Sequence, residues 1–140
     1  MRGYLLDTNV VSEFRKVRPH GGVVSWAQQL RGEQLFVSAV TTGEIQAGAE
    51  LTRKQDVAKA KEIEAWLNSI EASFAILDMD SACFREASRL MAGKGAVLRE
   101  DAMIAATARV RGLIVATRDE KDFRHLGAEI VNPFKFPSPS

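Results

Sequence analysis

Five short apolar runs punctuate this chain, and between them the apolar residues recur at helical spacing. Tyr4–Leu6, Gln34–Val37, Phe74–Leu77, Leu113–Ala116 and Glu129–Val131 each read as a strand. Short runs this apolar suit strands buried inside a sheet rather than strands with one wet face. Asn9–Lys16, Val23–Leu30, Thr41–Leu51, Gln55–Ile70, the segment from Ser81, Asp101–Arg109 and Asp119–Arg124 read as helices. Within Gln55–Ile70, the residues Val57, Ala60, Ile63, Trp66, Leu67 and Ile70 keep to one helical face. Pro19-His20-Gly21-Gly22 breaks one helix, and Gly93 with Gly95 stops another. Strands that alternate with helices predict an α/β fold: a largely parallel central sheet of four to five strands with helices on both faces.

The chain of 140 residues fits one domain. Its expected extent is residues 1–132, with an extended C-terminal tail over 133–140. Cys83 has no second cysteine to pair with, which suits a reducing, cytoplasmic setting. No apolar run approaches the roughly 20 residues needed to cross a bilayer, so no membrane partner is expected. Asp7 comes too early for a secretion signal. The net charge of +1 says little by itself. If a few acids are reserved for a site, the remaining surface is basic enough to attract a polyanion weakly.

In open parallel sheets, ligands bind beyond the carboxyl ends of the strands. Asp7 follows the first predicted strand directly, and Asp119 follows the fourth after Thr117 and Arg118. Glu44 and Asp101 fall in the first turns of predicted helices. Each acid has an ordinary structural explanation. Asp7-Thr8-Asn9 could simply turn strand into helix. Thr41-Thr42-Gly43-Glu44 matches a capping box. Asp101 suits a helix dipole, and Asp119 and Asp122 both fit the start of a short helix. Together these explanations weaken. Asp7 ends an apolar strand, and Asp101 opens a helix made largely of Ala, Met and Ile. Buried carboxylates are costly, and gathered ones raise each other's pKa. A hard divalent cation removes that cost, and magnesium prefers such oxygen ligands. No Cys and His cluster points to zinc.

Four segments also resemble one family in order and spacing: Leu5-Leu6-Asp7-Thr8-Asn9, Ser38–Ile45, Asp101–Ala108 and Val115–Phe123. They are similar to the motifs of the PIN domain, particularly the VapC-type toxins of bacterial toxin–antitoxin pairs and their FitB-like branch. The resemblance implies a PIN-like three-layer sandwich. It implies an endoribonuclease toxin of a type II system, with Asp7, Glu44, Asp101 and Asp119 as catalytic and metal-binding acids. Some relatives carry Asn at the fourth position and keep the acid matching Asp122, so Asp119 and Asp122 both stay open. Mg²⁺ is the implied cofactor, with Mn²⁺ as a substitute. The implied partners are an RNA substrate, a cognate antitoxin protein and a second copy of the chain, with operator DNA reached only through the antitoxin complex. The implied chemistry is metal-assisted phosphodiester hydrolysis, with Glu44 or Asp119 accepting a proton from water.

Thr8 and Thr117 would orient water on the metal, or equally serve as strand-end turns. The alternative reading is a mainly regulatory PIN protein acting in a DNA-binding complex with a small partner. A phosphotransferase of the haloacid dehalogenase class needs an acid where Asn9 stands. His20, His125, Cys83, Trp26 and Trp66 fall outside the chemistry, as core, packing or turn residues. The basic run Arg15–Arg18 reads as a phosphate contact or a solvated helix end.

Overall fold

The computed structural model describes residues 2–95 and 97–138. Among these, the chain forms five strands: β1 Tyr4–Leu6, β2 Leu35–Ser38, β3 Ala75–Leu77, β4 Ile114–Ala116 and β5 Ile130–Val131. Seven α-helices accompany them: α1 Thr8–Val11, α2 Gly21–Gln28, α3 Ala39–Arg53, α4 Val57–Ser73, α5 Ser81–Leu90, α6 Glu100–Arg111 and α7 Glu120–His125. The five strands make one sheet in the order β3-β2-β1-β4-β5, with every pair parallel.

The register explains why the strand sequences are apolar throughout. Leu5 sits level with Phe36 on one side and Val115 on the other. These residues face a core made with α6 and α7, including Ile104, Ala105 and Phe123. Leu6 sits level with Val37 and Ala116. It faces the opposite core, built from Val10, Val23, Trp26, Ile45, Leu67 and Ile70 of α1 to α4. Leu5 and Leu6 are both fully buried, because a strand sandwiched between helix layers has no wet face. The expected three-layer α/β arrangement is what forms.

Winding reverses at the centre of this sheet. From β1 the chain moves outward through β2 to β3, then crosses back to add β4 and β5 on the other side of β1. A crevice therefore opens beyond the carboxyl ends of β1 and β4. Asp7 follows β1, and Thr117-Arg118-Asp119 follows β4.

Three local expectations change. Helix α3 begins at Ala39, because the Ser38 hydroxyl accepts the Val40 N–H at 3.0 Å and caps it. Glu44 thus lies beyond the first turn, and the capping box starting at Thr41 does not form. The predicted helix Asn9–Lys16 splits into α1 and a 3₁₀ turn over Ser12–Arg15. Beyond Asn132, Pro133–Lys135 coil into another 3₁₀ turn, and Phe134 and Phe136 pack against the α1–α4 core instead of extending. Residues 139 and 140 of the expected tail lie outside the described residues. This closing turn comes so near α2 that a Cβ on Gly22 would meet the Phe136 carbonyl at 2.5 Å, which requires glycine there.

Glu13 fixes the 3₁₀ turn to α2. It is buried, accepts the His20 N–H at 2.9 Å and pairs with the Lys16 ammonium at 2.6 Å. Burial pushes its carboxyl upward, but Lys16 and the His20 N–H together hold it below the ordinary 4.5. A carboxyl lowered in the folded state stabilises above its unfolded pKa, and that contribution is lost as pH falls through the folded value. Glu13→Ala is therefore expected to cost about 1–3 kcal/mol at neutral pH by stranding the His20 donor. Urea unfolding of parent and variant should show this deficit shrink as pH drops below 4.5.

Candidate functional site

Asp7 is the first residue past the central strand. Its backbone N–H continues the sheet ladder to the Ala116 carbonyl at 2.9 Å. Its side chain turns back over α1 and accepts the Thr8 N–H at 2.8 Å. The Thr117 hydroxyl donates to it at 2.8 Å, and the Asn9 amide at 3.2 Å. The expected turn-and-cap role is thus real, yet it uses part of the carboxylate only.

The Thr117 hydroxyl also accepts the Asp119 N–H at 2.9 Å, so one buried hydroxyl sets both acids. Thr8 plays the matching part for Glu44. Its hydroxyl donates to the Glu44 carboxylate at 3.0 Å and lies 3.1 Å from the Thr41 hydroxyl. The two threonines that sequence offered as water-orienting groups address the carboxylates themselves. Asp101 lies in the first turn of α6, accepts the Ala102 N–H at 2.7 Å and pairs with Arg99 at 3.1 Å.

Asp7, Glu44, Asp101 and Asp119 all line one cavity of about 560 Å³. Asp122 and Glu100 line it too, so both candidates for the fourth acid stand at the same place. Among the described residues, no three His, Cys, Asp or Glu side chains converge closely enough to ligate one ion together.

Burial is the largest cause lifting the Asp7 carboxyl above 3.8; the Thr117 and Thr8 hydrogen bonds oppose it, while Asp119 and Asp101 add to it. Burial also lifts Glu44 above 4.5, against the Thr8 hydrogen bond, with Glu100 and Asp7 adding to it. Asp119 is raised by burial and by the neighbouring Asp122. Loss of water therefore outweighs like-charge repulsion in this cavity.

Residues set aside by sequence stay outside it. His20 caps α2 by accepting the Gly22 N–H, Cys83 is buried, and Trp26 packs edge-on against Tyr4. Arg15 and Lys16 line a neighbouring groove with Thr8 and Glu44. Sequence missed Arg99 and Glu100. The signal available was a charged pair immediately before the first-turn Asp101.

Thr117→Val keeps the shape of the side chain but removes the hydroxyl that supports Asp7. The Asp7 carboxyl then rises further. An acid raised in the folded state loses stability as pH climbs from its unfolded value of 3.8 through the folded one. The variant's deficit should therefore grow with pH, reaching about 1–3 kcal/mol at neutrality. Unfolding at about pH 4 and about pH 7 checks this, and a deficit independent of pH would show that the hydroxyl acts through the Asp119 N–H it accepts and not through the Asp7 carboxylate.

Comparison with known proteins adds the family. The PIN domain matches residues 4–129. The plasmid stability protein StbB of Pseudomonas syringae pv. tomato is 34% identical, over 94% of this chain and 98% of its own length. The VapC ribonuclease Y4jK of Sinorhizobium fredii is 33% identical, over 94% of this chain and 97% of its own. The crystal structure of FitAcB from Neisseria gonorrhoeae superposes with a TM-score of 0.82 at 31% identity, covering 95% of this chain and 99% of that one. With a five-stranded parallel sheet, acids at its switch point and a family match over nearly its whole length, this chain belongs to the PIN domain family.

Proposed function

We propose that this protein is a Mg²⁺-dependent endoribonuclease, the toxin of a type II toxin–antitoxin pair. The observation that carries the reading is the set of carboxylates lining one cavity at the sheet's switch point, two of them held in place by threonine hydroxyls. The relatives named as a VapC ribonuclease and a plasmid stability protein support the same reading.

The donor set fits magnesium. It offers carboxylate oxygens alone, and magnesium commonly binds through one or two carboxylates while keeping several waters. That habit accords with acids that share a cavity without three of them converging. Asp7, Glu44, Asp101 and Asp119 would hold the ion between them, one or two directly and the others through its bound waters, with Asp122 beside Asp119. Such an ion, when bound, activates water and polarises a phosphate. The chain's own residues do the rest. Thr117 orients Asp7 and fixes the backbone at Asp119, and Thr8 orients Glu44. On this reading Glu44 or Asp119, each with its carboxyl raised by burial, takes the proton of the attacking water.

On this reading the partner is a cognate antitoxin, and operator DNA is contacted through that complex. The setting is the cytoplasm. No helix among the described residues is long and apolar enough to cross a membrane. The chain pairs with a second copy through the α3–α4 end, where Leu51 and Val57 are exposed. A purely regulatory PIN protein has no use for this carboxylate set, so catalysis is the preferred reading.

Purified protein is expected to cut RNA with Mg²⁺ or Mn²⁺ and to stop in EDTA. Asp7→Asn, Glu44→Gln and Asp101→Asn should each lower the rate by at least about 100-fold. Undiminished cutting in EDTA, or full activity in all three variants, would sink the nuclease reading. In melting experiments Mg²⁺ at about 100 times its dissociation constant should add about 2.7 kcal/mol of stability, and a parent protein indifferent to Mg²⁺ contradicts the metal site.

A further inference from the structure

The cavity is lined by six carboxylates, Asp7, Glu44, Glu100, Asp101, Asp119 and Asp122, and, among the described residues, by one cation, Arg99. An anionic nucleic-acid backbone cannot enter such a space without positive charge to meet it. A divalent ion supplies part of that charge, and Arg99 is the part the chain carries itself.

Arg99 meets Asp101 with two prongs: Nε lies 3.1 Å from Oδ1 and Nη2 lies 3.3 Å from Oδ2. The pair is loosely held. The Arg99 side chain is 50% exposed and that of Asp101 24%, and ion pairs so open to water are weak and easily exchanged. Asp101 does not need Arg99 for its orientation, since the Ala102 N–H already anchors Oδ1 at 2.7 Å. Arg99 also provides no side-chain cap to α6. Its role is therefore charge rather than architecture. The guanidinium fork that fits a carboxylate fits a phosphate equally well.

We propose that Arg99 is a substrate-phosphate residue, parked on Asp101 in the metal-free protein and released to the RNA backbone when a divalent ion takes that carboxylate. This rests on the nuclease reading above. Two consequences follow in opposite directions. Removing Arg99 frees Asp101 and should tighten metal binding, while the RNA loses a two-pronged contact and should bind less well.

The experiment compares parent, Arg99→Gln and Arg99→Lys. Mg²⁺ affinity is read from melting shifts without RNA, and kcat and KM come from cleavage of a single-stranded RNA oligonucleotide. Arg99→Gln should bind Mg²⁺ about two- to fivefold more tightly, the factor a partly exposed pair contributes. Its KM should rise about tenfold, as expected for loss of a charge-assisted contact, with kcat changed less. Arg99→Lys, which keeps the charge but not the fork, should fall between the other two in KM. Unchanged Mg²⁺ affinity in Arg99→Gln overturns the parking on Asp101, and unchanged KM overturns the phosphate contact. A parent protein that neither binds Mg²⁺ nor cuts RNA overturns the nuclease reading itself, whereas a parent that does both while Arg99→Gln matches it overturns the role of Arg99 alone.

Discussion

The hydrogen bond from the Thr117 hydroxyl to Asp7 joins the end of β1 to the end of β4, and the cavity is organised around it. Parallel pairing sets Leu6 level with Ala116, so the next residue on each strand leaves the sheet at the same height. There the carboxylate of Asp7 loses water, a cost that only directed donors can offset. Thr117, Asn9 and the Thr8 N–H supply them. The same hydroxyl receives the Asp119 N–H. A single buried oxygen thus fixes the position of one acid and the backbone of another.

Thr8 repeats the device across the other strand boundary. It sits one residue after Asp7 and donates to Glu44 in α3. Asp7 and Glu44 are therefore linked through adjacent residues of one short segment, and neither carboxylate floats freely. Groups held in this way cannot move apart to relieve their repulsion. Burial, with the neighbouring acids adding to it, shifts the carboxyls of Asp7, Glu44 and Asp119 toward the protonated form. Functional sites commonly hold such unfavourable arrangements because the surrounding fold over-determines them. Here the over-determination is visible in the fully buried Leu5, Leu6, Val115 and Ala116 that immobilise both strands.

The local explanations of each acid turned out to be partly true rather than false. Asp7 does accept an N–H at the start of α1, and Asp101 does accept one at the start of α6. A carboxylate has two oxygens and several lone pairs, so one capping bond leaves room for further partners. Glu44 is the exception. Its supposed capping box failed because Ser38, at the end of β2, captured the helix start first. The competition lay between Ser38 and Thr41, both competent caps, and the sequence held no local preference strong enough to decide it. The C-terminal segment shows the converse. Pro133, Phe134 and Phe136 look like a loose end by composition, yet two aromatic rings find the exposed flank of the α1–α4 core and fold back onto it.

By itself the sequence determined the alternation of strand and helix, the parallel sheet and the placing of acids at strand ends. These follow from spacing and polarity within windows of a few residues, where strand and helix periods differ enough to be read directly. What the tertiary structure decided is which side chains those acids meet. The Thr8–Glu44 bond spans 36 residues and the Thr117–Asp7 bond 110. No local pattern encodes a partner at that distance; it arises only when strand register brings the two segments side by side. Arg99 stands on the boundary between these cases. It is two residues from Asp101 and could be seen in sequence, but its standing as the one cation lining a carboxylate cavity, among the described residues, depends on strands and helices from both halves of the chain closing around it.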